Sequence, residues 1–467
     1  MSGYVSTRGQ APVLGFSDVT IAGLASDGGL YVPQTCPKIS AQDLKELPHE
    51  SYIETAWRVM LPFVVDDIPS ADLVKMLKAA YHVFDKREIT PLHEFEKDFY
   101  ILELFHGPTL AFKDVALQFL GHVFDYILAK KKQRVTIIGA TSGDTGSAAI
   151  AAFQGKANAD IFILHPKDRV SEVQRRQMTT VLAPNVFNIA VEGSFDDCQD
   201  LVKAMLNDAK FRAELHLSAV NSINWARILA QIVYYVYAAS RVREKTGRDV
   251  TFCVPTGNFG NIYAGYVARQ MGAPVAKLLA ATNSNDILHR FFTTGQMKMA
   301  SVTPTLSPSM DIQVSSNFER LLFDLFDRQG VAVAATMQHF RKNGPYHLEE
   351  PVMQKVHTLF GSGRMDDAAT IEVMKRTYQE RKYILDPHTA VGVGVAEEYK
   401  KKNPDSVIVS LATAHPAKFP DAVKKAIGLT PALPPHLADL YDRKEQFKVL
   451  PNDLAKVQDF VRANGRK

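Results

Sequence analysis

His106-Gly107-Pro108-Thr109-Leu110-Ala111-Phe112-Lys113-Asp114 joins an apolar run at residues 99–104 to a helical pattern that starts near Asp114. A lysine held at such a strand-to-helix turn is a candidate for Schiff-base chemistry, because its amine can condense with an aldehyde and later move protons between neighbouring carbons. Ala111 is small enough for a flat ring to pass, and Phe112 can pin the turn in a core. Taken alone, the same residues also describe a surface lysine at a helix start. Two Gly-rich turns further along weigh against that reading: Gly139-Ala140-Thr141-Ser142-Gly143-Asp144-Thr145-Gly146 and Pro255-Thr256-Gly257-Asn258-Phe259-Gly260-Asn261. Each sits where a predicted strand meets a predicted helix.

Glycines let successive backbone amides converge, and a helix N-terminus adds a favourable dipole, so Gly257, Asn258, Phe259, Gly260 and Asn261 suit a phosphate. The turn is not a Walker loop, since no Gly-Lys-Ser/Thr follows, and it does not match GxGxxG. A purely structural turn is the alternative. In the earlier turn, Thr141, Ser142 and Thr145 offer hydroxyls and free amides to a second anion, most simply an amino-acid carboxylate, while Asp144 points toward the polar edge of a cofactor. Ser142 or Asp144 can equally cap the helix that follows. One amine and two anion cradles are the equipment of a pyridoxal phosphate enzyme.

Two further segments bear on a site. Ala412-Thr413-Ala414-His415-Pro416-Ala417-Lys418-Phe419 closes the last predicted strand, on the side of a parallel sheet where ligands sit, and Thr413 is placed to meet a pyridine nitrogen. Asn221-Ser222-Ile223-Asn224-Trp225-Ala226-Arg227 brings amide and guanidinium groups to a helix start, where Asn224 and Arg227 are candidates for a substrate phosphate. A plain salt bridge is the alternative for Arg227.

From about residue 99, short apolar runs alternate with amphipathic stretches, a pattern that predicts a mostly parallel sheet covered by helices. Strands are expected at 99–104, 134–139, 160–165, 186–191, 250–254, 277–282 and 407–411. Residues 1–90 read as a separate, mainly helical N-terminal domain with helices at 16–24, 54–61 and 71–81. The remaining chain divides into an α/β lobe at 91–245 that carries Lys113 and the substrate loop, and a second α/β lobe at 246–430 that carries the cofactor-phosphate loop. A helical insertion at about 315–385, with helix-rich stretches at 317–329 and 349–382, and a C-terminal tail at 431–467 complete the division.

The 467 residues are 46% hydrophobic and 22% charged, the balance of an ordinary folded protein. Net charge is only +4, with no long basic block, which gives no case for nucleic acid or a membrane surface as partner. Cys36, Cys198 and Cys253 form no ligand or CxxC spacing, so no metal is expected and a reducing compartment fits. The start lacks the pattern of a signal peptide, and the apolar stretch 229–239 is too short to span a membrane. A cytoplasmic location is expected.

Together, HGPTLAFKDVALQFLG, TSGDTGSAA, NSINWARI, PTGNFGN and TAHPAKF closely resemble the threonine synthase family, as do the opening YVSTRG and GLASDGGLYVP. The resemblance covers nearly the whole chain. Ser26 stands where proline is common in the family. The resemblance implies a fold type II (tryptophan synthase β-like) pyridoxal phosphate enzyme that turns O-phospho-L-homoserine and water into L-threonine and phosphate. It also implies Lys113 as the Schiff-base lysine, residues 257–261 on the cofactor phosphate, Thr413 at the pyridine nitrogen, and Ser142, Asp144 and Thr145 in the substrate loop. Serine/threonine dehydratases and cysteine synthase-like transferases share the lysine and the Gly-rich turns, and are the rival reading. A silent binding protein of the same fold, or a nucleotide switch using TSGDTGS, fits less well, the first because Lys113 is intact and the second for want of a Walker lysine. Both monomer and homodimer remain open.

Overall fold

The computed structural model describes residues 3–219, 221–342 and 344–466. Two sheets organise the molecule. The larger has six strands in the order Phe360–Arg364, Val275–Thr282, Val250–Pro255, Val407–Ala412, Phe99–Glu103, Leu92–Glu96, and every neighbouring pair is parallel except the last. The smaller runs Lys448–Pro451, Val186–Glu192, Ala159–Pro166, Val135–Ala140, Leu217–Ser218, all parallel. Val250–Pro255 and Val407–Ala412 are buried at every position, as strands covered by helices on both faces must be.

The seven strands expected from the sequence form within two residues of the expected bounds, and the three N-terminal helices appear as Phe16–Ala22, Tyr52–Val64 and Ser70–Tyr81. Ser51 starts the second with a reciprocal cap to Glu54. The helix-rich stretch 349–382 is interrupted by a strand. It folds as Glu350–Leu359, then the strand Phe360–Arg364, then Asp367–Arg381, so the expected insertion at 315–385 carries an edge strand of the larger sheet. Close packing explains the break: a Cβ on Gly361 would lie 2.8 Å from Leu279 Cδ2, and one on Gly363 would lie 2.6 Å from Val395 Cγ1.

Sheet membership also departs from the expected lobes. Phe99–Glu103 pairs with Val407–Ala412, so residues before Lys113 belong to the sheet of the later segment. Lys448–Pro451, in the supposed tail, pairs with Val186–Glu192 of the earlier one. The chain crosses between sheets at both ends, and strand patterning alone does not reveal partners. Nor do the first 90 residues stand apart. Trp225, at the head of the helix Trp225–Thr246, is buried against the rings of Tyr4 and Phe63 at 5.9 and 6.0 Å, and one continuous core runs through both segments.

Register decides where loops gather. Ala412 pairs with Glu103 and Ser410 with Cys253, so three adjacent parallel strands end at one level. The segments that follow them hold Lys113, Thr413 and the 256–261 turn, at the carboxyl edge where open α/β sheets bind ligands.

Candidate active site

Lys113 opens the helix Lys113–Lys131, and its side chain is buried rather than at the surface. The segments 110–112 and 413–415 zip together to place it. The Phe112 amide donates to the Thr413 carbonyl at 2.9 Å, the His415 amide donates to the Leu110 carbonyl at 3.0 Å, and Ala111 bridges Ala414 between them. Leu110 takes a left-handed φ of 64°, a strained value for a branched side chain. Its side chain is held in a small apolar cluster with Val173, Leu437 and Leu440, so the C-terminal segment stabilises the turn. Asp114 fastens the other side, accepting from the Thr109 amide at 2.8 Å and the Thr109 hydroxyl at 2.6 Å.

Asp144, at the start of the helix Asp144–Phe153, reaches Lys113 from the smaller sheet. Its Oδ2 accepts from Lys113 Nζ at 3.1 Å and from the Ser309 hydroxyl at 3.0 Å, and its Oδ1 accepts from Gln174 Nε2 at 2.8 Å. Burial works against a charge on Asp144, but Lys113 and Lys418 outweigh it and hold the carboxyl well below its usual range. Burial pushes the Lys113 amine below its ordinary value, and Asp144 only partly offsets this. In the same turn, the Thr141 hydroxyl accepts from the Gly143 and Gly146 amides, both at 2.9 Å, so it is Thr141, not Ser142 or Asp144, that ties down this helix start. Ser142 is exposed, and Thr145 lines the cavity above Lys113.

Across that cavity, residues 257–260 turn into the helix Gly260–Met271. Phe259 sits at φ 61°, held there by the rings of Phe292, Phe318 and Phe360. Among the described residues, no acceptor takes the amides of Gly257, Asn258, Phe259 or Gly260, as expected at a helix start that awaits an anion. A side chain on Gly257 would come within 3.1 Å of Ile312. Asn261 Oδ1 accepts from the Tyr234 and Tyr235 hydroxyls at 2.6 and 2.9 Å, which leaves its buried Nδ2 without a partner. Arg227 lines the same cavity, with Nε and Nη1 buried and unpartnered among the described residues, and burial pushes its guanidinium down to about 10. Orphaned amides, an orphaned carboxamide and an orphaned guanidinium around one cavity fit a phosphate ester, and Lys113 beside them fits the aldehyde of pyridoxal phosphate.

Comparison with known proteins agrees with the geometry. Residues 3–81 match the family described as "Threonine synthase N terminus", residues 84–340 "Pyridoxal-phosphate dependent enzyme", and residues 389–461 "Threonine synthase, C-terminal". Threonine synthase of Pseudomonas aeruginosa is 54% identical over 99% of both chains. The chain belongs to the threonine synthase family. A crystal structure of PLP-bound threonine synthase from Brucella melitensis is 51% identical, covers 100% of both chains and superposes with a TM-score of 0.97. Threonine synthase from yeast is 41% identical, with 99% of this chain and 98% of that one covered and a TM-score of 0.94. Like these threonine synthases, the chain has the fold of the pyridoxal phosphate enzymes that was expected of it, and it is PLP-dependent.

Of the residues expected at a threonine synthase site, Lys113, Thr145, Arg227, residues 257–261 and Thr413 line one cavity, with Asp144 bonded to Lys113 beneath it. Asn224 does not join them. Its Oδ1 caps the helix by accepting from the Ala226 amide at 3.0 Å, and its Nδ2 donates to the Thr20 carbonyl at 2.8 Å. The side chain is buried and outside the lining of the cavity, with capping as its role. Arg227, expected to meet a substrate phosphate, lines the same cavity as Thr145 and the 257–261 turn.

Sequence reading passed over His388, Ser309 and Lys418. Asp386 accepts from His388 Nδ1 at 2.8 Å and from the Thr389 hydroxyl, which in turn accepts from the Thr413 amide at 3.3 Å. The Asp-Pro-His-Thr run at 386–389 carries the signal of a capped helix start with Pro in its first turn, and that signal was available.

Proposed function

We propose that this chain converts O-phospho-L-homoserine and water to L-threonine and phosphate, with pyridoxal 5'-phosphate held on Lys113. One observation carries the reading: a buried amine paired with a buried carboxylate, Lys113 and Asp144, faces unpartnered phosphate donors across a single cavity. Bound pyridoxal phosphate supplies an aldehyde that takes up an amine, and a ring that draws off the electron pair left when a proton leaves the adjacent carbon.

Lys113 has two tasks in this scheme. Its amine would hold the cofactor between turnovers and, when free, would take the proton from the substrate α-carbon and return protons later. Burial favours the second task by lowering the amine's proton affinity, so that its neutral form is accessible. Asp144 keeps the amine in place at 3.1 Å. The amides of 257–261, Asn261 Nδ2 and Arg227 hold the cofactor phosphate. We assign Arg227 to this phosphate, since its unpartnered nitrogens and the turn belong to one cavity. Thr413 would offer the ring nitrogen a hydroxyl, which would not hold that nitrogen protonated as firmly as a carboxylate. Ser142, Thr145 and the backbone of their turn take the substrate carboxylate. In the net reaction phosphate leaves the γ-carbon and water adds at the β-carbon.

Phosphate and threonine assayed together test this. Purified protein with pyridoxal phosphate should release both in equal amounts from phosphohomoserine, and should leave serine and O-acetylserine largely untouched. Turnover of serine or O-acetylserine without action on phosphohomoserine would instead favour a dehydratase or a cysteine synthase-like transferase. The cytoplasm is the proposed working place, on the strength of three free thiols, Cys36, Cys198 and Cys253.

A further inference from the structure

Asp144 is shared between two buried amines. Lys113 Nζ lies 3.1 Å from its Oδ2, and Lys418 Nζ lies 3.0 Å from its Oδ1. Lys418 is fully buried and does not line the cavity. It donates to the Thr109 carbonyl at 2.7 Å and to Gln177 Oε1 at 3.1 Å, and meets Asp144 as an ion pair. This buried amine touches neither solvent nor the cavity, yet shares a carboxylate with Lys113.

We propose that Lys418 is a positioning residue that sets, through Asp144, how readily Lys113 gives up its proton. The proposal rests on the reading of Lys113 as the Schiff-base lysine and base. Without a second cation, a neutral Lys113 amine would leave the buried Asp144 carboxylate unpaired, which is costly. With Lys418 in place, Asp144 stays paired whatever the state of Lys113. Repulsion between the two cations across the shared carboxylate acts in the same direction.

Other charged and polar groups near the pair are few. Arg227 faces Lys113 and also disfavours its proton. On the Asp144 side stand Gln174, the Ser309 hydroxyl, and His388, which accepts from the Ser309 amide at 3.2 Å. Asp114 is bonded to Thr109 and lies close enough to Lys418 to feel its charge. None of these takes the place of Lys418 at Asp144 Oδ1 as a cation in direct contact.

The test reads the Lys113 amine directly. Cyanate carbamylates neutral amines only, so its rate at Lys113 in the full-length, cofactor-free chain, followed by peptide mass spectrometry across pH, reports the midpoint at which that amine loses its proton. In Lys418→Met the midpoint should rise by about one unit, so that carbamylation well below it slows roughly tenfold. In Lys418→Arg, which keeps the cation, it should return toward the parent value. The acid limb of the kcat profile should move with it. A folded Lys418→Met protein whose midpoint is unchanged or lower overturns the proposal, even if its stability falls, because that is what a merely structural lysine would give. If Lys418→Met yields no folded protein, Asp144→Asn decides: Lys113 would then face Lys418 and Arg227 with no counterion and its midpoint should fall, and a midpoint that stays or rises overturns the proposal. Peptide mapping of the cofactor attachment point tests the Lys113 reading separately, so failure of one is distinguishable from failure of the other.

Discussion

The Phe112 amide donates to the Thr413 carbonyl over 2.9 Å. That bond fastens the residue before the amine to the residue just past the strand Val407–Ala412, and so fixes Lys113 and Thr413 as two walls of one cavity. A flat ring between them would meet an amine at one edge and a hydroxyl at another without either segment moving. The geometry depends on the strained turn at Leu110.

Leu440 is fully buried against that turn. Leu440→Ala should cost about 2–5 kcal/mol of stability, the usual range for a buried leucine. Denaturant unfolding measures the loss. Because Leu110 then lacks its packing, kcat should fall severalfold while the 257–261 turn keeps its affinity for cofactor, read by fluorescence titration.

Asn224→Ala separates capping from binding. Loss of an N-cap costs about 0.5–2 kcal/mol. The variant should therefore unfold at lower denaturant, yet show an unchanged KM for phosphohomoserine. A large rise in KM with unchanged stability would return Asn224 to the substrate.

Arg227→Met should make the cofactor-free protein more stable and the loaded protein worse. The guanidinium has buried nitrogens with no partner, and an unsatisfied buried polar group costs about 1–3 kcal/mol. Thermal unfolding with and without pyridoxal phosphate should show the midpoint rise in the first case and the cofactor-induced gain shrink in the second.

The fold was legible in the sequence where one rule dominated. Val250–Pro255 and Val407–Ala412 are unbroken apolar runs flanked by turn residues, and the PTGNFGN turn declares a helix start whose amides are free. Pairing was not legible. Nothing local in residues 99–103 says that they lie beside 407–412, some 300 positions on, and nothing in 448–451 points to 189–192. Glycines at 361 and 363 carried the signal of an edge strand, but the helical periodicity on both sides hid it. At the site, single residues with strong local chemistry were found, while Lys418, Ser309 and His388 were missed because their roles come from contacts across the fold.

The pH dependence of stability follows from Lys113. Burial lowers its folded-state proton affinity, whereas the unfolded amine keeps its proton up to about pH 10.4. Between the folded and unfolded values the unfolded chain binds more protons, so this group makes stability rise with pH there, and its penalty is fully present below the folded value. Lys113→Met should flatten that slope in cofactor-free protein. Urea unfolding at a series of alkaline pH values, parent against variant, measures it.

Borohydride reduction of the protein loaded with pyridoxal phosphate, followed by peptide mapping, asks most directly whether Lys113 carries the cofactor. A single phosphopyridoxyl group on the peptide containing Lys113, absent from Lys113→Ala, is the predicted result. The same label on Lys418 or on any other lysine, or no label at all in folded protein, would contradict it.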